Sequence, residues 1–163
     1  MLPDAVELTL LAPAHNEEEN IQLLVEQAGA ALAATGLSFE FLIVDDGSTD
    51  TTRQKIRDLM PARPWLRCVA MTNTPKGKGN GQSAAFAAGI RASRGGLIAT
   101  IDADLQNDPA DLKLLVQKLR ETGADMVQGD RSHARKDNWV RRRTSGIGRF
   151  FRGLILQDPV RDT

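Results

Sequence analysis

The 163-residue chain contains one cysteine, Cys68. No disulfide framework can form within it, which fits a reducing compartment and a cytoplasmic setting. In the apolar run Leu66 to Met71 that thiol is expected to be buried and inert. The N-terminus lacks a basic region followed by a long apolar stretch, so no secretory leader is visible. No apolar run approaches the roughly 20 residues that a membrane-spanning helix requires, and no transmembrane segment is expected. Net charge is absent as well: 21 Lys and Arg balance 21 Asp and Glu. The chain as a whole therefore has no pull toward nucleic acid or membrane, and no nucleic-acid partner is expected.

Further absences narrow the chemistry. The first strand-to-helix turn has no glycine, which excludes the dinucleotide-binding fingerprint. It also disfavours a sugar-nucleotide pyrophosphorylase, which wants a glycine-rich loop where this chain has Ala12-Pro13-Ala14-His15. The loop Gly77-Lys78-Gly79-Asn80-Gly81-Gln82 fits neither that fingerprint nor P-loop spacing. No Ser-His-Asp or Cys-His grouping stands out.

The length fits one domain with a sizeable core. Charge is unevenly spread: nine Lys or Arg against three Asp between Arg131 and Thr163 give that stretch +6 and leave −6 for the rest. The split suggests an acidic, metal-binding part and a basic part for anions. Strand and helix patterns alternate. Strands are expected at Val6 to Ala12, Phe39 to Val44, Leu66 to Met71, 97–101 and, more briefly, Ala124 to Gln128. Between them, Asn16 is expected to cap a helix with the apolar stripe Ile21, Leu24, Val25, Ala28 and Leu32, ended by Gly36. Ser48 or Thr49 caps a short helix to Met60. Gln82 to Ala92 forms a third helix. Asp108 caps the next, which Pro109 opens and whose Leu112, Leu115, Val116 and Leu119 face inward. A last helix carries Ile147, Phe150, Phe151, Leu154 and Ile155. Such alternation argues for a mainly parallel sheet with helices on both faces.

In open parallel sheets, ligands bind at the carboxyl ends of the strands. The polar clusters fall there: Pro13 to Glu17, Asp45-Asp46, Asp102-Ala103-Asp104, and Asp130-Arg131. The apolar run Leu97 to Ile101 delivers two carboxylates to its tip. Residues two apart on an extended chain point the same way, so both can face one hard cation such as Mg²⁺ or Mn²⁺. An Asp after a strand also serves as a turn or cap residue, and His15 reads as a ligand or as a solvated loop histidine. Glu17 alone among Glu17, Glu18 and Glu19 lies close to a strand tip; acids there also suit the helix dipole. Lys76 and Lys78 sit in a glycine loop that either approaches phosphate or stays solvated.

Together, A-P-A-H-N-E-E-E-N-I at 12–21, V-D-D-G-S-T-D-T-T at 44–52 and D-A-D-L-Q-N-D-P at 102–109 resemble the family 2 glycosyltransferases of the GT-A fold. The likeness is to the branch of dolichol-phosphate mannose synthases and bactoprenol glucosyltransferases. Weaker matches are G-Q-S-A-A-F-A-A-G at 81–89 and Q-G-D-R-S at 128–132. The resemblance implies a Rossmann-like catalytic domain over 1–163. It also implies that Pro13, Asn16, Glu17 and Asp46 line the nucleotide base and ribose pocket, with Asp45 beside them. Asp102 and Asp104 would hold the metal, Mg²⁺ or Mn²⁺, on the donor diphosphate, with Gln106 nearby. Ala103 and Lys78 join the donor-binding set. Arg131 and Arg143 would meet phosphate of donor or acceptor, although Asp130 stands where the family has Ser. Asp162 matches an acidic position near the acceptor, as base or orienter.

The implied activity is inverting transfer of a sugar from a UDP- or GDP-linked donor to a polyprenyl phosphate at the cytoplasmic membrane face. A phosphate acceptor is ionised near neutral pH, its second pKa being roughly 6; a sugar hydroxyl acceptor would need a general base. In the family a Thr-Gly segment, an Arg and further helices follow, so the domain is expected to be incomplete at its C-terminus. The stretch Arg149 to Leu156 reads as a core-facing helix or as one at a membrane surface. Rival readings are an Asp-x-Asp phosphatase, whose motif belongs on the first strand, a nucleotide-sugar-binding module without activity, and a transferase acting on a sugar hydroxyl.

Overall fold

The computed structural model describes residues 5–72, 74, 75 and 77–129. Four strands, β1 (Leu8–Ala14), β2 (Phe39–Asp45), β3 (Leu66–Ala70) and β4 (Leu97–Thr100), form one parallel sheet in the order β3-β2-β1-β4. Between them run the helices α1 (Ile21–Ala34), α2 (Thr52–Leu59) and α3 (Gln82–Ala92), and α4 (Leu112–Thr122) follows β4. The expected α/β architecture is therefore present.

Both faces of the sheet are covered. Leu8, Leu10, Ala12 and Ala14 of β1 and Phe41 and Ile43 of β2 pack with α1, with Ile56 of α2 and with Leu112 of α4. On the other face Leu11, Leu42 and Val44 pack with Ala85 of α3. Strands buried on both sides read as continuous apolar runs, which is why β1 and β2 lack polar alternation. The stripe foreseen for α1 is real: Ile21, Leu24, Val25, Ala28 and Leu32 are all fully buried. Each large aliphatic among them is worth about 1.5–3 kcal/mol of burial. Gly36 follows the helix at φ +72°, a conformation that side chains with a Cβ disfavour.

Several local expectations shift. β1 runs on through Pro13 to Ala14, because its pairing with β4 ends at Leu11↔Thr100 and leaves Pro13 only the β2 neighbour. Asn16 does not cap α1; the cap position is Asn20, whose side chain makes no capping bond. Neither Ser48 nor Thr49 caps α2: the helix starts at Thr52, whose amide donates to Asp50 Oδ1 at 2.9 Å. Asp108 does cap, accepting from the Ala110 amide at 2.9 Å, but onto a turn of 3₁₀ helix at Pro109–Asp111 that leads into α4. Of the four inward positions foreseen on α4, Leu112 is fully enclosed, while Leu115, Val116 and Leu119 are half-buried. Ala124 to Gln128 is not a strand. The chain leaves α4 through Gly123 at φ +63°, and Met126 is 77 % exposed. An apolar run becomes a strand only where a sheet edge receives it. Cys68 is half-buried rather than buried, and the burial it has pushes its thiol up, away from the reactive thiolate. The foreseen helix from Ile147 to Ile155 and the tip at Asp130-Arg131 lie outside the described residues.

At the amino ends of the strands a buried charge is closed in by its neighbours. Glu40 of β2, 2 % exposed, accepts from Arg67 Nη1 at 2.6 Å, Thr9 Oγ1 at 2.8 Å and the Arg94 amide at 2.7 Å. The Gly95 amide donates to Thr9 Oγ1 at 2.9 Å. A Cβ at Gly95 would stand 2.5 Å from the Thr9 nitrogen, so only glycine lets the α3–β4 turn lie this close. Burial alone would raise the Glu40 carboxyl. The Arg67, Thr9 and Arg94 donors outweigh it and hold the group below the ordinary 4.5. Glu40→Ala, which strands Arg67, the Thr9 hydroxyl and the Arg94 amide, should cost about 3 kcal/mol in urea unfolding; a loss under about 1 kcal/mol would show that the network does not hold the turn. Because the folded value is the lower one, the stabilisation is complete above the ordinary glutamate range and fades as pH falls through the folded value. The stability advantage of the native chain over Glu40→Gln should therefore narrow in acid.

Candidate functional site

The strand order reverses at β1: the chain steps from β1 to β2 to β3 on one side, then returns to place β4 on the other. Such a switch point opens a crevice between the carboxyl ends of the two strands on either side of it, here β1 and β4. The β1 tip thus stands between the acidic tips of β2 and β4.

At the β2 tip, Asp45 is wholly buried. Its Oδ2 pairs with Arg53 Nε at 2.5 Å and its Oδ1 accepts from the Ser48 amide at 3.1 Å. Asp46, 5 % exposed, donates its amide to the Ala14 carbonyl at 2.9 Å. Its carboxylate accepts from the glycine loop. The Asn80 amide reaches both oxygens at 2.8 Å, Asn80 Nδ2 reaches Oδ1 at 3.1 Å, and the Gly81 amide reaches Oδ2 at 2.8 Å. Gly79, at φ +64°, passes so near that a Cβ would stand 2.6 Å from Asp46 Oδ2. Lys78 is exposed on this loop, with its amide bonded to the Pro75 carbonyl; Lys76 lies outside the described residues.

At the β1 tip, Pro13 is half-buried and paired in register with Val44. His15 Nδ1 lies 2.8 Å from the Asp46 carbonyl, so Nδ1 must carry the proton and donate; Asn16 Nδ2 then donates to Nε2 at 3.3 Å. His15 is a strut between two strand tips, neither a free ligand nor a solvated side chain. Asn16 adopts φ +58°, which Asn tolerates better than most residues. Its Oδ1 accepts from the Thr49 amide at 2.7 Å and, more loosely, from Thr49 Oγ1 and the Asp50 amide, while its own amide donates to Ser48 Oγ. Asn16 therefore caps the loop after β2 instead of a helix. Glu17 donates its amide to Thr52 Oγ1 at 2.8 Å and accepts from Asn20 Nδ2 on its carboxylate at 2.7 Å. A polar cleft of about 190 Å³ is lined by Asn16, Glu17, Glu18, Glu19, Asn20 and Asp50, and by none of Asp45, Asp46, Asp102 or Asp104. On its wall the Thr51 hydroxyl and amide hold the Glu18 carboxyl below its ordinary value.

At the β4 tip the regular strand ends at Thr100, so the two acids do not sit on an extended segment as alternation required; Ala103 and Asp104 form a turn. Asp102 is half-buried, its Oδ1 accepting from Gln82 Nε2 at 2.9 Å and its Oδ2 meeting Asn107 Nδ2 at 3.4 Å. Ala103 is buried and Asp104 exposed, with Asp104 Oδ1 accepting from the amide of the exposed Gln106 at 3.0 Å. Leu105 sits at φ +61°, strain that marks a constrained segment when a bulky residue carries it. Among the described residues no third carboxylate, histidine or cysteine joins a group able to enclose a cation. Two hard carboxylates with no protein cage suit a cation that shares its shell with substrate phosphate and water, as Mg²⁺ commonly does. Arg131, Arg143 and Asp162 lie outside the described residues.

Arg53, Asn80, Gly81, Gln82 and Asn107 carry much of this geometry, and the sequence gives none of them a site role. Gln82 stands 20 residues before Asp102 with no local pattern to couple them.

A parallel sheet whose strand order reverses at β1, with acids at the tips of the strands on either side of it, is the frame of a doubly wound α/β domain. The family model for glycosyl transferase family 2 matches residues 9–162, and the chain belongs to that family. It is 36% identical over 160 residues to the dodecaprenyl-phosphate galacturonate synthase of Rhizobium johnstonii, covering 97% of this chain and 46% of that protein. It is 35% identical over 148 residues to the undecaprenyl-phosphate 4-deoxy-4-formamido-L-arabinose transferase of Edwardsiella ictaluri, covering 91% and 43%. The chain thus spans less than half the length of these relatives. Among solved structures it superposes on a mannosyltransferase from Pyrobaculum calidifontis, in complex with GDP-Man and Mn²⁺, with TM-score 0.60 and 23% identity over 72% of this chain and 33% of that one. The fold is GT-A.

Asn16→Ala should lower stability by about 1–2 kcal/mol, because it removes the loop acceptor and puts a Cβ-bearing residue without a polar side chain at positive φ. Urea unfolding checks this; an unchanged midpoint would mean that the loop after β2 does not depend on Asn16.

Proposed function

We propose that residues 1–163 form part of the catalytic domain of an inverting glycosyltransferase. It would move a sugar from a nucleoside-diphosphate donor to a polyprenyl phosphate. The observation that carries this reading is the gathering of Asp46, the β1 tip and the Asp102–Asp104 turn at one switch point in a chain of this family. Both curated relatives are named for polyprenyl-phosphate acceptors.

In this reading Pro13, Asn16, Glu17 and Asp46 border the nucleoside, with Asp45 holding the tip beneath them through Arg53. Lys78, Ala103 and Gln106 flank the donor. Asp102 and Asp104 are the residues that would hold Mg²⁺ or Mn²⁺, and a cation there would neutralise charge on the leaving diphosphate. The acceptor phosphate oxygen attacks the anomeric carbon from the face opposite the departing diphosphate, so the bond to the diphosphate breaks as the new glycosyl bond forms with inversion. An ionised phosphate needs no proton removed, so Asp162 serves to orient it, and Arg131 and Arg143 to attract it. A lipid-borne acceptor places the reaction at a membrane surface, on the cytoplasmic face where nucleotide sugars are made. Among the described residues no helix is long and apolar enough to cross a membrane.

Thermal shift of the chain against UDP- and GDP-linked sugars, with and without Mn²⁺, tests the reading. A metal-dependent rise in midpoint with one donor class is expected, and Asp104→Ala should remove the metal-dependent part. A folded sample that responds to no donor would overturn the proposal. Binding of donor without transfer to polyprenyl phosphate would instead favour a nucleotide-sugar-binding module.

A further inference from the structure

Gln82 opens α3, and its side chain crosses to the β4 tip, where Nε2 donates to Asp102 Oδ1 at 2.9 Å. The two residues before it, Asn80 and Gly81, give their amides to the Asp46 carboxylate at 2.8 Å. Three consecutive residues therefore tie the carboxylate at the β2 tip to the carboxylate at the β4 tip. The tie is held closely. A Cβ on Gly79 would stand 2.6 Å from Asp46 Oδ2 and 2.8 Å from the Asp46 carbonyl oxygen, and Gly81 adopts φ +93° to turn the chain into α3. Asp102's other oxygen meets Asn107 at 3.4 Å, a long contact, so the 2.9 Å bond from Gln82 is the closer restraint on that carboxylate.

A hydrogen bond to one oxygen of a metal-binding carboxylate sets the rotation of the group and the direction of its remaining lone pairs. The chemistry at position 82 suits that task. A neutral amide donates without cancelling the charge that attracts a cation, as a lysine would, and without repelling Asp102, as a carboxylate would. We propose that Gln82 is a positioning residue for the metal site. Through it, the Asn80–Gly81–Gln82 junction couples the nucleoside-side carboxylate Asp46 to the metal-side carboxylate Asp102. The inference rests on the assignment of Asp102 and Asp104 to a cation under the proposed function. It adds a residue and a linkage which that assignment does not contain.

The test is Mn²⁺ binding to the 163-residue chain in the presence of UDP or GDP, read from the loss of the free Mn²⁺ electron paramagnetic resonance signal. Gln82→Met keeps the length and removes the donor. Mn²⁺ affinity should fall about tenfold, the lower end of the range for such partners. The metal-free thermal midpoint should stay within a degree or two, since Gln82 is exposed. Gly79→Ala, which pushes the loop off Asp46 while leaving Gln82 and Asp102 in the sequence, should weaken Mn²⁺ binding as well. Equal Mn²⁺ affinity in the native chain and Gln82→Met would overturn the positioning role while leaving the transferase reading intact. Weakening in Gln82→Met but not in Gly79→Ala would overturn the coupling to Asp46. Failure of the native chain to bind Mn²⁺ with either nucleotide would overturn both the inference and the metal assignment.

Discussion

Two adjacent carboxylates, Asp45 and Asp46, are withdrawn from water at the end of β2, and the architecture of the site follows from satisfying them. Unpaired, each buried charge would cost several kcal/mol. They are satisfied by different means. Asp45 takes a guanidinium from α2 and an amide from its own turn. Asp46 takes the amides of a distant glycine loop. The first choice fixes how α2 leaves the β2 tip. The second brings residues 79–82 across the sheet end, and with them the start of α3. Among the described residues no buried side-chain nitrogen or oxygen lacks a partner, so the closure is complete.

The two ends of the sheet divide the work. At the amino ends, Glu40, Thr9 and Arg67 form a network that anchors the α3–β4 turn. At the carboxyl ends, the polar groups face the switch point between β1 and β4. The helices on one face, α1, α2 and α4, and α3 on the other bury the strands between these ends. The carboxyl-end loops are then free to carry sites that a rigid sheet positions. Polarity is tolerated at both ends because each charge there finds donors, whereas the strand centres, covered on both faces, admit almost none.

Much of this was legible in the residues. The apolar stripe of α1, the strands, the α3 span and the Asp108 cap follow from periodicity and turn chemistry, which are local. The acidic tips were legible too, since a polar cluster after an apolar run marks a strand end. What misled were features settled by a partner far away. Asn16 looks like a helix cap because it precedes a helical stripe, but the unsatisfied amides it meets belong to residues 49 and 50 on another strand's loop. Ala124 to Gln128 looks like a strand, yet apolar alternation cannot supply the edge that would receive it. The Asp102–Asp104 alternation assumed an extended chain, and the strand ends two residues earlier.

The sequence alone determined the fold class, the chemistry available at each strand tip and, through the order of its motifs, the family. Each motif and each apolar run is a pattern within a dozen residues, and the order of the motifs is read directly along the chain. Tertiary structure decided which tips meet, because strand order is a property of pairing and not of succession. It also decided which side chains hold the acids in place. Arg53 on Asp45, Asn80 on Asp46 and Gln82 on Asp102 are contacts across 8, 34 and 20 residues. No local spacing encodes such contacts; they exist only once the sheet has brought its carboxyl ends together.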